Sequence, residues 1–188
     1  MKIYTKTGDK GQTSLLNGVR VDKLDVRIRL LGQIDKLNAY VGMNIANFDE
    51  IDIAKENLLK QVKLLRQIQN LLFEVGTEIA RSNSEAINSN IVDNISYTTT
   101  DMEIQIDDMS LSTSELKNFI LPGGTKIASF AHLTRTIVRE IEIFFIAHGD
   151  TFEIEEFNIF LNRLSDYFFS LARYLNLLGG LEDIVWKP

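Results

Sequence analysis

The segment from Tyr4 to Gly18 reads YTKTGDKGQTSLLNG, and it gathers lysines, hydroxyls and glycines in a chain whose remainder reads as helical. Thr5, Lys6, Thr7, Lys10, Thr13 and Ser14 alternate there with Gly8 and Gly11. Glycines let consecutive backbone N–H groups approach an anion, lysines add point charge and hydroxyls add donors; together these suit a phosphate. The Walker A spacing, Gly-x-x-x-x-Gly-Lys-[Ser/Thr], is absent. A β-hairpin turn around Gly8-Asp9 accounts for the glycines equally well. Arg20, Lys23 and Arg27 follow and extend the positive charge, which moves the balance toward an anion site.

Three further stretches carry polar chemistry. In residues 119–125, FILPGGT, Pro122 ends an extended run, Gly123 and Gly124 permit a sharp turn, and Thr125 can cap a following helix. Downstream, helical spacing sets His132, Arg135, Arg139 and Glu142 opposite an apolar face of Ile127, Phe130, Thr134, Ile137, Ile141 and Phe144. Arg135 and Arg139 are one turn apart and can converge on one anion or carboxylate, although a solvated face is the plainer reading. His132 has no second ligand at a metal-binding spacing. In residues 162–169, NRLSDYFF, Asn162, Arg163 and Asp166 project away from a leucine seam, as does Arg173. Asn and Asp one turn apart could hold a nucleoside, hydrated Mg²⁺ or a neighbouring arginine, or Asp166 could pair with Arg163 or Arg173. Asp35 and Asn38 form a similar polar pair.

Positioning these groups requires a scaffold, and the sequence predicts helices. The 188 residues suffice for one sizeable core, so a single domain over 1–188 is expected, with residues 1–24 as a loop and 25–178 as a helical bundle. Apolar residues recur at three- and four-residue spacing over about 25–47, 53–81, 124–148 and 154–178. The last segment is a nearly unbroken seam of Phe157, Leu161, Leu164, Phe168, Leu171, Leu175 and Leu178. A shorter helix is expected over about 100–112, capped by Thr100 or Asp101, after an Asn- and Ser-rich loop over 82–97. With two prolines only, Pro122 and Pro188, the helices run unobstructed. The expected fold is all-α, an antiparallel up-and-down bundle.

Composition narrows the function. No cysteine is present, which excludes disulfides and thiolate metal sites and fits a reducing cytoplasm. Met1 to Ser14 lacks an apolar signal-peptide core, and no apolar run approaches membrane-spanning length. The net charge of −6 argues against nucleic acid as a main partner. It divides into +4 over residues 1–30 and −10 over the rest, so a basic leader on an acidic body could receive a small polyanion, or could be ordinary scatter of surface charge.

Taken in order, Tyr4–Thr13, Arg20 with Lys23 and Arg27, GQIDKLN over 32–38, FILPGG over 119–124 and NRLSDYFF over 162–169 resemble the ATP:cob(I)alamin (corrinoid) adenosyltransferases of the trimeric PduO type. The resemblance covers almost the whole chain. It implies a five-helix bundle with ferritin-like packing, assembled as a homotrimer with an active site at each subunit interface. It implies transfer of the 5′-deoxyadenosyl group of ATP, accompanied by Mg²⁺, to cob(I)alamin, with release of triphosphate. It assigns the ATP contacts to Thr5, Lys6, Thr7, Gly8, Lys10, Gly11, Thr13, Lys23, Arg139 and Asn162. Asp35 and Arg135 match an interface salt bridge, and Phe119 matches the aromatic that displaces the lower axial ligand of the corrin. Arg139, Phe119 and Asn162 are thus the expected catalytic set, with no metal ligands of the chain's own; a corrinoid reductase is a possible partner.

Three positions depart from the family pattern. Lys36 stands where glutamate is common, and Glu140 and Ile143 replace two basic residues of an Ala-Arg-x-x-x-Arg-Arg-Ala-Glu-Arg run. If both basic residues touched triphosphate directly, their loss would cost about 1–3 kcal/mol per charged hydrogen bond; they could equally serve packing. A non-catalytic ATP- and cobalamin-binding chaperone or sensor on the same fold is the alternative expectation.

Overall fold

The computed structural model describes the chain except residues 1–2, 5, 49–54, 82–87 and 153, together with the side chains of 55–57 and 150. Five long helices carry it: α1 (Val26–Phe48), α2 (Lys55–Ile79), α3 (Ser89–Ser112), α4 (Lys126–Ala147) and α5 (Glu155–Leu178). A two-stranded antiparallel ribbon precedes them, β1 (Gln12–Ser14) with β2 (Arg20–Asp22), in the register Gln12 to Asp22, Thr13 to Val21 and Ser14 to Arg20.

Cross-helix contacts fix the directions. Asn44 meets Thr134 and Lys36 meets Glu140, so α1 and α4 are antiparallel. Lys60 pairs with Asp108 and Asn94 with Glu74, so α2 and α3 are antiparallel as well. Asn162 reaches Glu142 while Asn176 reaches Gly123, which opposes α4 and α5. Arg163 meets Glu103 and Arg173 meets Ser114, so α3 and α5 run parallel. The helices therefore close an up-and-down bundle in the spatial order α1, α2, α3, α5, α4.

The predicted apolar rows form its core. Leu30, Ile34, Leu37, Val41 and Ile45 of α1 are buried, and so is the α5 seam from Phe157 to Leu175. Phe157 stacks on Phe160 and meets Phe145 edge-on, adding aromatic contact to area burial. Capping follows the sequence in part. Thr125 accepts the Ala128 N–H at 3.2 Å, as expected. Asp25 caps α1 by accepting the Arg27 N–H at 2.9 Å.

One element departs from expectation. α3 begins at Ser89, not near residue 100, and its cap is Asn88, whose side chain accepts the Asn90 N–H at 3.1 Å. Asparagine and serine suggested a loop, but Ile91, Ile95, Thr98, Thr99 and Met102 form a buried stripe along α3, and tertiary burial overrides their weak helix preference. Residues 82–87 of that expected loop, and the expected helix start at Ile53, lie outside the described residues.

Candidate active site

The leader is a shaped arm. Its hairpin turn lies at residues 15–19, where Leu15 and Val19 bond across it and Gly18 takes φ +82°. The expected turn at Gly8-Asp9 is instead a separate loop, closed by the Gly11 N–H on the Gly8 carbonyl at 3.3 Å. Leu16 donates to the Ala80 carbonyl at 3.1 Å, which docks the arm on the end of α2. Arg20 spans the arm, donating to the Thr7 carbonyl at 2.8 Å and to Ser14 Oγ at 3.2 Å. Arg27 donates from Nε and Nη2 to the two Asp25 carboxylate oxygens, which raises the guanidinium pKa and lowers that of the carboxyl. Arg20 and Arg27 thus shape the arm and neutralise charge, where the sequence offered them as part of the anion site.

Lys6, Lys10 and Lys23 remain. All three are exposed, and none forms an ion pair among the described residues. Lys6 holds φ 59°, a left-handed conformation that a non-glycine side chain adopts at some cost, and its ammonium lies 5.9 Å from the Tyr4 ring centroid. The Lys23 ammonium leans over Gly8 so closely that a Cβ there would sit 3.3 Å from it. Gly8 thereby lets cation and backbone share one surface. Thr13 is half-buried in β1, Gly11 turns the chain at φ +80°, and Thr5 lies outside the described residues.

A second group lies on α4 and α5. Arg139 is exposed and has no carboxylate partner among the described residues. Arg135 is half-buried with its Nε unpartnered; burial foremost, then the charge of Arg139, holds its pKa below the ordinary value. Asn162 donates to Glu142 Oε1 at 2.9 Å. Within one chain Asp35 and Arg135 do not pair: Asp35 is exposed and lines a cavity of about 250 Å³ with Leu16, Asn38 and Phe73 on the α1–α2 face.

Two residues leave the faces the sequence gave them. His132 is buried, with both ring nitrogens unpartnered and its ring 6.1 Å from that of Phe169. Arg173 is buried too, donating to Asp183 Oδ2 at 2.7 Å and to the Ser114 carbonyl. Arg163 pairs with Asp166, as the plainer reading had it, and also with Glu103.

Phe119 stands in a third place. It is 81% exposed and packs edge-on against Trp186, with ring centroids 6.5 Å apart. The chain end pairs with the same segment: Trp186 donates to the Phe119 carbonyl at 2.8 Å and Leu121 to the Ile184 carbonyl at 2.8 Å. Asn176 ties the glycine turn, accepting the Thr125 N–H and donating to the Gly123 carbonyl, both at 2.9 Å. Trp186, Asn176 and Asp183 carry no periodic signal in the sequence, because each acts through one irregular contact, at separations from 10 residues for Asp183 with Arg173 to 67 for Trp186 with Phe119.

From Lys126 to Arg139 α4 rises about 20 Å, and Phe119 lies in the non-helical segment before it. Arm, arginine row and aromatic thus stand on separate elements: the leader, α4 and the segment that precedes α4. Among the described residues no group of three or more His, Cys, Asp or Glu is placed to hold a metal.

The family model for cobalamin adenosyltransferase matches residues 3–175. The chain belongs to the cobalamin adenosyltransferase family. A corrinoid adenosyltransferase of Bacillus subtilis is 39% identical over 188 residues, covering 100% of this chain and 93% of its own length. A cobalamin adenosyltransferase of Cupriavidus metallidurans is 34% identical, with 99% of this chain and 94% of its own covered. Among solved structures, a variant of the PduO-type ATP:corrinoid adenosyltransferase from Lactobacillus reuteri, complexed with cobalamin and ATP, superposes with a TM-score of 0.86 at 34% identity over 100% of both chains. The family's fold is thus the fold described above.

The family departures at 36, 140 and 143 acquire a structural setting. Lys36 Nζ lies 3.7 Å from Glu140 Oε2, so two of these three positions face each other as an ion pair between α1 and α4. Ile143 is 66% exposed; neither position 140 nor position 143 packs into the core of this chain.

Proposed function

We propose that this protein transfers the 5′-deoxyadenosyl group of ATP to the cobalt of cob(I)alamin, and that its active site is completed between copies of the chain. The observation that carries the reading is a set of cations, Lys6, Lys10, Lys23 and Arg139, that have no carboxylate partner among the described residues and stand on separate elements, the arm and α4. Asp35 borders the cavity beneath the arm, and Arg135 sits one turn from Arg139. If Asp35 of one copy meets Arg135 of the next, Arg139 arrives beside the neighbouring arm and the two cationic surfaces converge. A homotrimer closes such contacts around an axis.

The chemistry asks little of side-chain acid or base. The cobalt(I) lone pair attacks C5′, the C5′–O bond breaks, and its electrons leave with triphosphate while cobalt is formally oxidised to Co(III). The protein aligns the two centres and stabilises the departing charge. Lys6, Lys10, Lys23, the Gly8 and Gly11 backbone and the hydroxyls of Thr5, Thr7 and Thr13 take the triphosphate, with Arg139 from across the interface. Asn162 contacts the nucleotide. Phe119, exposed and braced by Trp186, presents an apolar face beneath the corrin and keeps a lower ligand from cobalt. Mg²⁺ travels with ATP, and no step here depends on it. The arm, 1–24, and the bundle, 25–178, work as one domain over 1–188, in a cytoplasmic setting that the absence of cysteine suits, with a reductase supplying cob(I)alamin.

One feature favours a second reading, a binding protein without turnover: apolar Ile143 replaces a family basic residue on the exposed arginine face. Anaerobic cob(I)alamin with MgATP decides between them. Formation of adenosylcobalamin and triphosphate is expected; tight binding of both ligands without product would establish the second reading.

A further inference from the structure

Resting on the adenosyl-transfer reading, we infer that Lys36 is a positioning residue for ATP: it neutralises Glu140 and so keeps that carboxylate from repelling the triphosphate held by Arg139. Glu140 directly follows Arg139 on α4, so a negative charge stands one helical step from the cation assigned to the nucleotide. Neither Arg135 nor Arg139 has a carboxylate partner in its own chain among the described residues, so neither cancels it. The neighbouring Glu142 is engaged by Asn162. The remaining counter-charge is Lys36, which reaches across from α1 to within 3.7 Å.

Both partners are at least half exposed, with side-chain exposures of 50% and 68%, so the pair contributes little to folding. Its value lies in the field it cancels. A polyphosphate carries several negative charges, and an uncompensated Glu140 next to Arg139 repels them, most strongly at low ionic strength. Lys36 and Asp35 are adjacent but point apart, Asp35 to the α1–α2 cavity and Lys36 to α4. α1 thus serves the interface with one residue and the nucleotide's electrostatics with the next.

The test measures adenosylation kinetics against MgATP for wild type, Lys36→Met, Glu140→Gln and the double variant, at low and high salt. Lys36→Met is expected to raise KM for ATP about threefold at low salt, with little change in kcat, and high salt should shrink the difference. The double variant should return to the KM of Glu140→Gln alone. An unchanged KM in Lys36→Met overturns the inference. So does a raised KM that persists in the double variant, which would make Lys36 a direct nucleotide contact, or a loss of kcat together with melting temperature, which would make the pair structural. If wild type forms no product, the proposed function falls. Calorimetric ATP binding by the same four proteins then still reads the pair: the same threefold pattern in Kd upholds it, and equal Kd values overturn it.

Discussion

The arm and the knot around the chain end use the same residue types to opposite purpose. In the knot, Arg173 is enclosed and its guanidinium is spent on Asp183 and Ser114, while Asn176 satisfies both sides of the Gly123–Thr125 turn. In the arm and on the exposed row of α4, Lys6, Lys10, Lys23 and Arg139 are exposed and have no carboxylate partner among the described residues. A buried charge must be paired or the fold suffers; an exposed cation can wait for a ligand at almost no cost. The contrast separates cations that hold the scaffold from cations available for triphosphate.

The sharpest way to break the contrast is at the knot. Arg173→Met should destabilise the protein by about 2–4 kcal/mol, because half-buried Asp183 loses its counter-ion and the Ser114 carbonyl its donor. Gly124→Ala should follow at about 2–4 kcal/mol, since Gly124 sits at φ +107° and a Cβ would collide with the Asn176 amide. Denaturant unfolding checks both, and a loss below about 1 kcal/mol in either would show that the knot is slack.

Arm variants should behave in reverse. Lys10→Ala and Arg139→Ala should each lower kcat/KM by about 10- to 100-fold, the value of a charged hydrogen bond, while the melting temperature stays near wild type because both side chains are exposed and have no carboxylate partner among the described residues. Phe119→Ala tests the third surface: the residue is 81% exposed, so folding should hold while turnover with cobalamin falls. A variant of either kind that unfolds first would erase the distinction between scaffold and site.

How much of this was legible beforehand follows the same divide. The helices of α1, α4 and α5 could be read from spacing because each buries one continuous row, such as Leu30, Ile34, Leu37, Val41 and Ile45. The arm could be read as a cationic glycine segment because its residue types are unusual for a helical chain. What spacing could not give is long-range pairing. Arg27 looked like part of an anion site until Asp25 was seen to engage it, and Trp186 carried no signal until the chain end was seen to lie along Phe119. The first eleven residues of α3, 89–99, do not read as helix because Asn and Ser favour loops locally, whereas Ile91 and Ile95 bury globally.

His132 joins the two regions and gives the smallest effect. Burial foremost, with the nearby charge of Arg135, pushes its pKa below the ordinary value, while Asp183 of the knot pulls the other way. The unfolded chain, with an ordinary histidine near pH 6.5, therefore binds more protons than the folded one as pH falls below about 6.5. Stability from the neutral ring is complete above that pH and is lost progressively beneath it, until the folded pKa is reached. His132→Phe keeps an aromatic against Phe169 and removes the proton site, so unfolding free energies between pH 5 and 7.5 should decline more steeply for wild type than for the variant. Parallel curves would mean that the imidazole gains a proton in place without cost, and that Arg135 and the knot do not press on it together.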